Sequence, residues 1–171
     1  MVIALLAVPA ACLLGYAALH DLAVRTVPNW LPAALLLVGI CARLLDHDLL
    51  TGLGVAAVAF ALLFGIWIAG AMGGGDVKLW AAAVLLVPPG WQAQFSLFVN
   101  VVLAGGVLAV LYLALSLVVP RPRAAHQGSH LRRFMRVEQW RIGRRGPLPY
   151  ACAIAAGAIA ALIPQFHTNL G

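Results

Sequence analysis

From residue 49 to residue 72 the chain runs without one charged side chain. A helix of about 20 apolar residues crosses the hydrocarbon core of a bilayer. In lipid the backbone must bond internally, so such a run is a helix. Further apolar segments lie at about residues 2–19, 30–45, 77–87, 95–119 and 148–163. The chain reads as all-α, a polytopic membrane protein of six transmembrane helices in a single domain over 1–171. Its composition agrees: 64% hydrophobic, 9% charged, mean hydropathy +1.00, against about a quarter charged in soluble domains. The short alternating segments of a transmembrane barrel are absent from the sequence.

The boundaries carry local signals. Pro28 biases its predecessor away from helix, and Asn29 is suited to N-cap the second span. Asp46-His47-Asp48 forms a tight turn. Pro88-Pro89-Gly90 stops the fourth span, and Pro164 is expected to end the sixth. Arg25, Lys78 and the arginines at 121, 123, 132, 133, 136, 141, 144 and 145 fall in the odd connectors. Positive charge marks the cytoplasmic side. Both termini are therefore expected outside the cytoplasm, with the basic connector at about 121–147 inside.

Cys12, Cys41 and Cys152 are far apart in apolar segments, without a CxxC pair, and read as small packing residues. Cys12 lacks the basic n-region of a cleaved signal, so residues 2–19 are kept as a span. His47, His126, His130 and His167 have no ligand spacing. No metal and no cofactor are assigned.

Acids are scarce: Asp21, Asp46, Asp48, Asp76 and Glu138. An ionisable group at the edge of a span is a functional candidate. The proposed orientation puts Asp21 and Asp76 on the cytoplasmic side at similar depth, and Asp46 and Asp48 on the other. Two neighbouring carboxyls share a proton. One then acts as base on a water while the other polarises a carbonyl, which suffices to hydrolyse an amide. No HExxH and no Ser/His/Asp set stands in the connectors. The alternative for Asp76 is a boundary acid at the N-terminus of the fourth span, favoured by the helix dipole. For Asp21 it is an ion pair with Arg25, one helical turn on. Gly73, Gly74 and Gly75 imply unusual backbone angles or close approach, and one expectation is that they admit an extended substrate strand. Lys78 reads as a snorkelling anchor. His20 reads as an interfacial polar group or a modulator of Asp21.

Gly73-Gly74-Gly75-Asp76 resembles the GxGD signature of membrane aspartyl proteases, and Gly74-Gly75-Asp76-Val77-Lys78-Leu79 resembles that of type IV prepilin peptidases. Asp21, Arg25 and Val27-Pro28-Asn29 are similar to that family's D-x-x-x-R-x-[IV]-P-N stretch. Pro149-Tyr150, followed by Ala153, Ala155 and Gly157, is similar to its last-helix motif. The resemblance implies an inner-membrane endopeptidase that cuts the basic leader from prepilin or pseudopilin precursors at the cytoplasmic face. Asp21 and Asp76 take the catalytic positions. The motif and supporting positions are Gly73, Gly74, Gly75, Lys78, Arg25, Pro28, Asn29, Pro149 and Tyr150. Longer members carry a CxxC-bearing cytoplasmic insert and methylate the product. This chain passes from its first span directly into the Asp21 connector, resembles the short Flp/Tad form, and is expected to lack methyltransferase activity.

The stretch from Arg132 to Ile142 mixes basic and apolar residues and is expected to contact anionic lipid; otherwise it is a solvated connector. Nucleic acid is not expected as a partner. Glu138 pairs most simply with Arg141. Trp30, Trp80 and Trp91 are placed as interfacial anchors, and Ala153, Gly157 and Ala161 as a small packing face. Two other functions fit the composition: a small proton-coupled transporter relaying through Asp21 and Asp76, or a non-catalytic subunit of a pilus or secretion assembly. A transporter would more naturally hold an acid in mid-span.

Overall fold

The computed structural model describes residues 2–118 and 148–168. Among them the chain is helical, without strands: α1 (Val2–Val24), α2 (Trp30–Leu45), α3 (Leu49–Ile68), α4 (Gly74–Leu86), α5 (Trp91–Val118) and α6 (Tyr150–Thr168). The stretch from Arg132 to Ile142, with Glu138, Gly146 and Pro147, lies outside the described residues. The chain divides into two units, Met1–Gly105 with Pro149–Gly171, and Gly106–Leu148. Besides Leu148, the described part of the second is the end of α5, where Val107, Val110, Leu113 and Leu117 are exposed.

In the first unit the centre is α4. Val77, Leu79 and every residue from Ala81 to Leu86 are buried, and α2, α3 and α6 pack around it. At 13 residues it is about 20 Å long, short of the ~30 Å hydrocarbon thickness. Short length and burial on all sides make it a core helix. Three other helices contain stretches long and apolar enough to cross a membrane: Leu6–Val24, Leu49–Ile68 and Trp91–Leu117. Trp30–Leu45 and Tyr150–Ile163 are apolar but shorter. Length and apolarity thus bear out the membrane class and three of the expected spans.

Glycine lets α2 and α6 approach their neighbours. A Cβ on Gly39 would lie 3.0 Å from the Leu85 Cβ, and one on Gly157 only 2.5 Å from the Val101 Cα. Ala153 and Ala161 are buried beside Gly157 on the expected packing face. Small residues give this contact where no water drives helices together. At the end of α4, the Gln94 Nε2 donates to the carbonyls of Val84, Val87 and Pro88 at 3.1, 3.1 and 3.0 Å. One carbonyl of the last turn and two just beyond it are thereby satisfied.

Several boundaries differ from the sequence reading. α1 continues beyond residue 19 to Val24, so Asp21 is a helix residue and not a connector residue. α3 stops at Ile68 and a turn at residues 69–73 follows, with Gly70 at φ +75°. α6 runs through Pro164 to Thr168. Proline removes one helical N–H bond, and α6 continues despite that loss. Trp80 is not a surface anchor: it packs on the core, its ring 6.2 Å from that of Phe98. Trp30 and Trp91 are exposed.

The second acidic pair is tied down. Arg43, 1% exposed, holds Asp46 through Nη2 at 2.8 Å and Asp48 through Nη1 at 3.2 Å. His47 between them takes φ +59°, which closes the tight turn from α2 to α3. The Gly52 position sits against the Arg43 stem, where a Cβ would meet Cγ at 3.0 Å.

Candidate active site

Asp21 lies on the inward face of α1 and is 5% exposed. A buried carboxyl needs hydrogen-bond partners. One comes from α6: the Ala151 N–H donates to Asp21 Oδ2 at 3.2 Å. Amides in the first turn of a helix have no partner within it. Pro149, fully buried, precedes the start of α6, and its carbonyl accepts the Cys152 N–H at 3.1 Å. The Ala151 amide is thereby left to point at α1. One turn earlier on α1, the Ala18 carbonyl accepts the Cys152 thiol at 3.3 Å. Tyr150 opens α6 with its side chain partly exposed.

Asp76 stands in the first turn of α4, ahead of the apolar stretch that begins at Val77. Gly73 is the N-cap of that helix, extended at φ −72°, ψ 143°. Its backbone N–H bonds back to the Asp76 carboxyl, the half of a capping box that a side chain three residues into a helix supplies. This bond and the helix dipole favour the carboxylate. Burial and the charge of Asp21 oppose them and prevail, raising the Asp76 pKa from 3.8 to about 6. Asp21 and Asp76, remote in sequence, are therefore within electrostatic reach of each other.

The glycines at the start of α4 meet one of the two expected demands, close approach, and not the other, unusual backbone angles. None of Gly73, Gly74 and Gly75 has a positive φ. The space beside each is filled by the protein itself. A Cβ on Gly73 would lie 2.8 Å from Asp76 Oδ2, one on Gly74 3.2 Å from the Trp67 Nε1, and one on Gly75 3.1 Å from the Val27 Cβ. Close approach of α4 to its own neighbours is thus one demand these glycines meet.

The connector from α1 to α2 brings the remaining motif residues to the same end of α4. Arg25 turns the chain out of α1 at φ +61°, its N–H on the Asp21 carbonyl at 2.7 Å. His20 Nδ1 is 2.8 Å from the Thr26 carbonyl and so holds the connector. Pro28 accepts the Leu31 N–H at 3.0 Å. Asn29 occupies the N-cap position of α2, but its side chain makes no cap bond. Its Oδ1 instead accepts from the Lys78 Nζ at 3.0 Å. Both expectations change together: Lys78 is exposed, yet it is a tie between the connector and α4.

Sequence reasoning missed the Ala151 amide, the Trp67–Gly74 contact and the Asn29–Lys78 bond. Pro149 at a helix start was the available signal for the first; the other two had none. Among the described residues no three His, Cys, Asp or Glu side chains gather as a metal site.

No curated protein and no solved structure matches the chain. A family model does: residues 8–113 match the type IV leader peptidase family, a segment that contains both Asp21 and Asp76. The match covers more than half of the 171 residues, so the chain belongs to the type IV leader peptidase family and is a protease.

Proposed function

We propose that the protein is an aspartyl endopeptidase that removes the basic leader from Flp/Tad-like prepilins or pseudopilins at the cytoplasmic face of the inner membrane. The observation that carries this reading is the electrostatic contact between two acids, Asp21 and Asp76, in a leader peptidase. A shared proton between neighbouring carboxyls lets one group deprotonate water while the other polarises the scissile carbonyl. Hydrolysis then needs no covalent intermediate. The half-buried Asp76 at the mouth of α4 leaves water a route to the pair.

The other features follow from this reading. An N-terminus outside the cytoplasm would put the Arg25 and Lys78 connectors inside it, where a basic leader is presented. The arginine-rich connector, including Arg132 to Ile142, would lie against anionic lipid on the same side. Only residues 25–29 separate α1 from α2, with no cysteines among them. The short connector supports a peptidase without methyltransferase activity.

Co-expression with a candidate precursor tests the proposal. Wild type should shorten the precursor on a gel, and Asp21→Asn or Asp76→Asn should leave it full-length. Undiminished processing by both variants would show that the peptidase works by other chemistry.

A further inference from the structure

Among the described residues, apolar grooves open on two sides of α4, and they differ in charge. One lies between α3 and α5, with a volume of about 710 Å³ and no charged side chain in its lining. The other, of about 460 Å³, is the seam where α2 and α3 part over α4. Buried Ala81 and Ala82 of α4 floor it. Ala33 and Leu36 of α2 line one side, and Ala57 and Phe60 of α3 the other. Asn29 and Lys78, from the starts of α2 and α4, stand together at one end.

Lys78 is exposed and gives the seam its charge. Its Nζ carries three N–H groups, and one donates to Asn29 Oδ1 at 3.0 Å. The Asn29 amide nitrogen adds two donors beside it. No acid among the described residues comes within ion-pair distance of the ammonium. The N-terminal end of α4 lies close by, and there an anion is favoured. A gap between helices leaves its lining without dispersion partners, and in a bilayer the acyl chain of a lipid is at hand to fill it. Charge selects the occupant. An apolar helix in the seam would bring nothing to Lys78. A phospholipid brings a phosphate at the head of its chains, and basic pockets between membrane helices bind such headgroups.

We infer that the seam between α2, α3 and α4 is a binding site for an anionic phospholipid, with one acyl chain along the alanines and the phosphate on Lys78 Nζ and Asn29 Nδ2. A headgroup without a cation of its own is preferred, because choline would set a second positive charge beside the ammonium. The site uses groups other than those of the Arg132 to Ile142 connector. It rests on the chain's place in a membrane and not on the aspartyl reading. A lipid bound there joins the α1–α2 connector to α4 two residues past Asp76.

Photoreactive lipids test the site. Phosphatidylglycerol or phosphatidylcholine, each with a diazirine in its acyl chain, is added in trace amounts to phosphatidylcholine nanodiscs holding the full chain. Peptide mapping should find label on the seam residues of α2 and α3 about fivefold more with the glycerol lipid, the worth of one lysine facing an anionic headgroup. Lys78→Gln should bring the two lipids level there. Ala57→Phe fills the seam from an exposed position and should remove the label from Ala33 and Leu36 with both lipids. Val58→Phe, in the groove between α3 and α5, should leave the ratio at the seam unchanged. Equal labelling by both lipids in wild type, which depends on no variant, would overturn the site, as would a ratio that Lys78→Gln leaves in place. Displacement of the label by purified precursor or by soluble glycerol phosphate would overturn it too, giving the seam to the substrate or to a free phosphate.

Discussion

The chain has two pairs of aspartates, and their electrostatic neighbours differ. Asp46 and Asp48 share one guanidinium, that of the buried Arg43, at 2.8 and 3.2 Å. Asp76 has another acid as its electrostatic neighbour, and its carboxyl is raised to about 6. A cation beside an acid fixes its charge and its position, which suits a turn. An acid beside an acid leaves a proton to be exchanged, which suits hydrolysis. In a chain with so few acids, neighbours set the proposed catalytic pair apart better than residue type does.

The largest effect expected from this contrast is on catalysis. Asp21→Asn and Asp76→Asn should each lower cleavage about a thousandfold or more, since groups acting as a unit fail together. Asp46→Asn or Asp48→Asn should stay within about threefold of wild type in activity per folded molecule, because neither touches the pair. Precursor cleavage at matched amounts of folded protein compares all four.

Stability should show the reverse order. Arg43→Met removes the charge that two carboxylates face and should cost about 3 kcal/mol, toward the low end for a buried pair because the acids keep some solvent contact. Thermal unfolding in nanodiscs reads that loss, while cleavage per folded molecule remains. Gly73→Ala sharpens the catalytic side with a smaller change. The new Cβ would stand 2.8 Å from Asp76 Oδ2, and the carboxyl rather than the backbone can give way. A misaligned acid should cost about tenfold to a hundredfold in kcat, with a nearly unchanged melting temperature.

The smallest effect concerns pH. A carboxyl whose folded pKa is raised from 3.8 to about 6 binds more protons folded than unfolded between those values. Its favourable contribution is present below the unfolded pKa and is lost as pH rises through about 6. Above that pH Asp76→Asn should be the more stable protein, by about 1 kcal/mol once solvent screening of a partly exposed group is allowed for. The difference should close toward pH 4. Melting temperatures across that range check it.

Much of this was legible in the sequence because lipid allows few choices. The helix from Trp30 to Leu45 and the pairing of Asp21 with Asp76 both follow from where charge is and is not permitted. The short α4 was harder: its apolar residues resemble those of a span, and only packing shows that α2, α3 and α6 enclose it. The glycine run gave the correct demand, close approach, without naming what approaches. Trp67 and Val27 reach it from other elements. The Ala151 amide was illegible for a simpler reason, since every residue except proline has one.

The central claim is that Asp21 and Asp76 form one chemical unit. Single-turnover cleavage of a purified precursor by Asp21→Asn, Asp76→Asn and the double variant tests it most directly. The prediction is three residual rates that agree within a few-fold, because the second substitution removes nothing further. A double variant slower than the singles by the product of their separate losses would mean two independent contributions, and the account would be wrong.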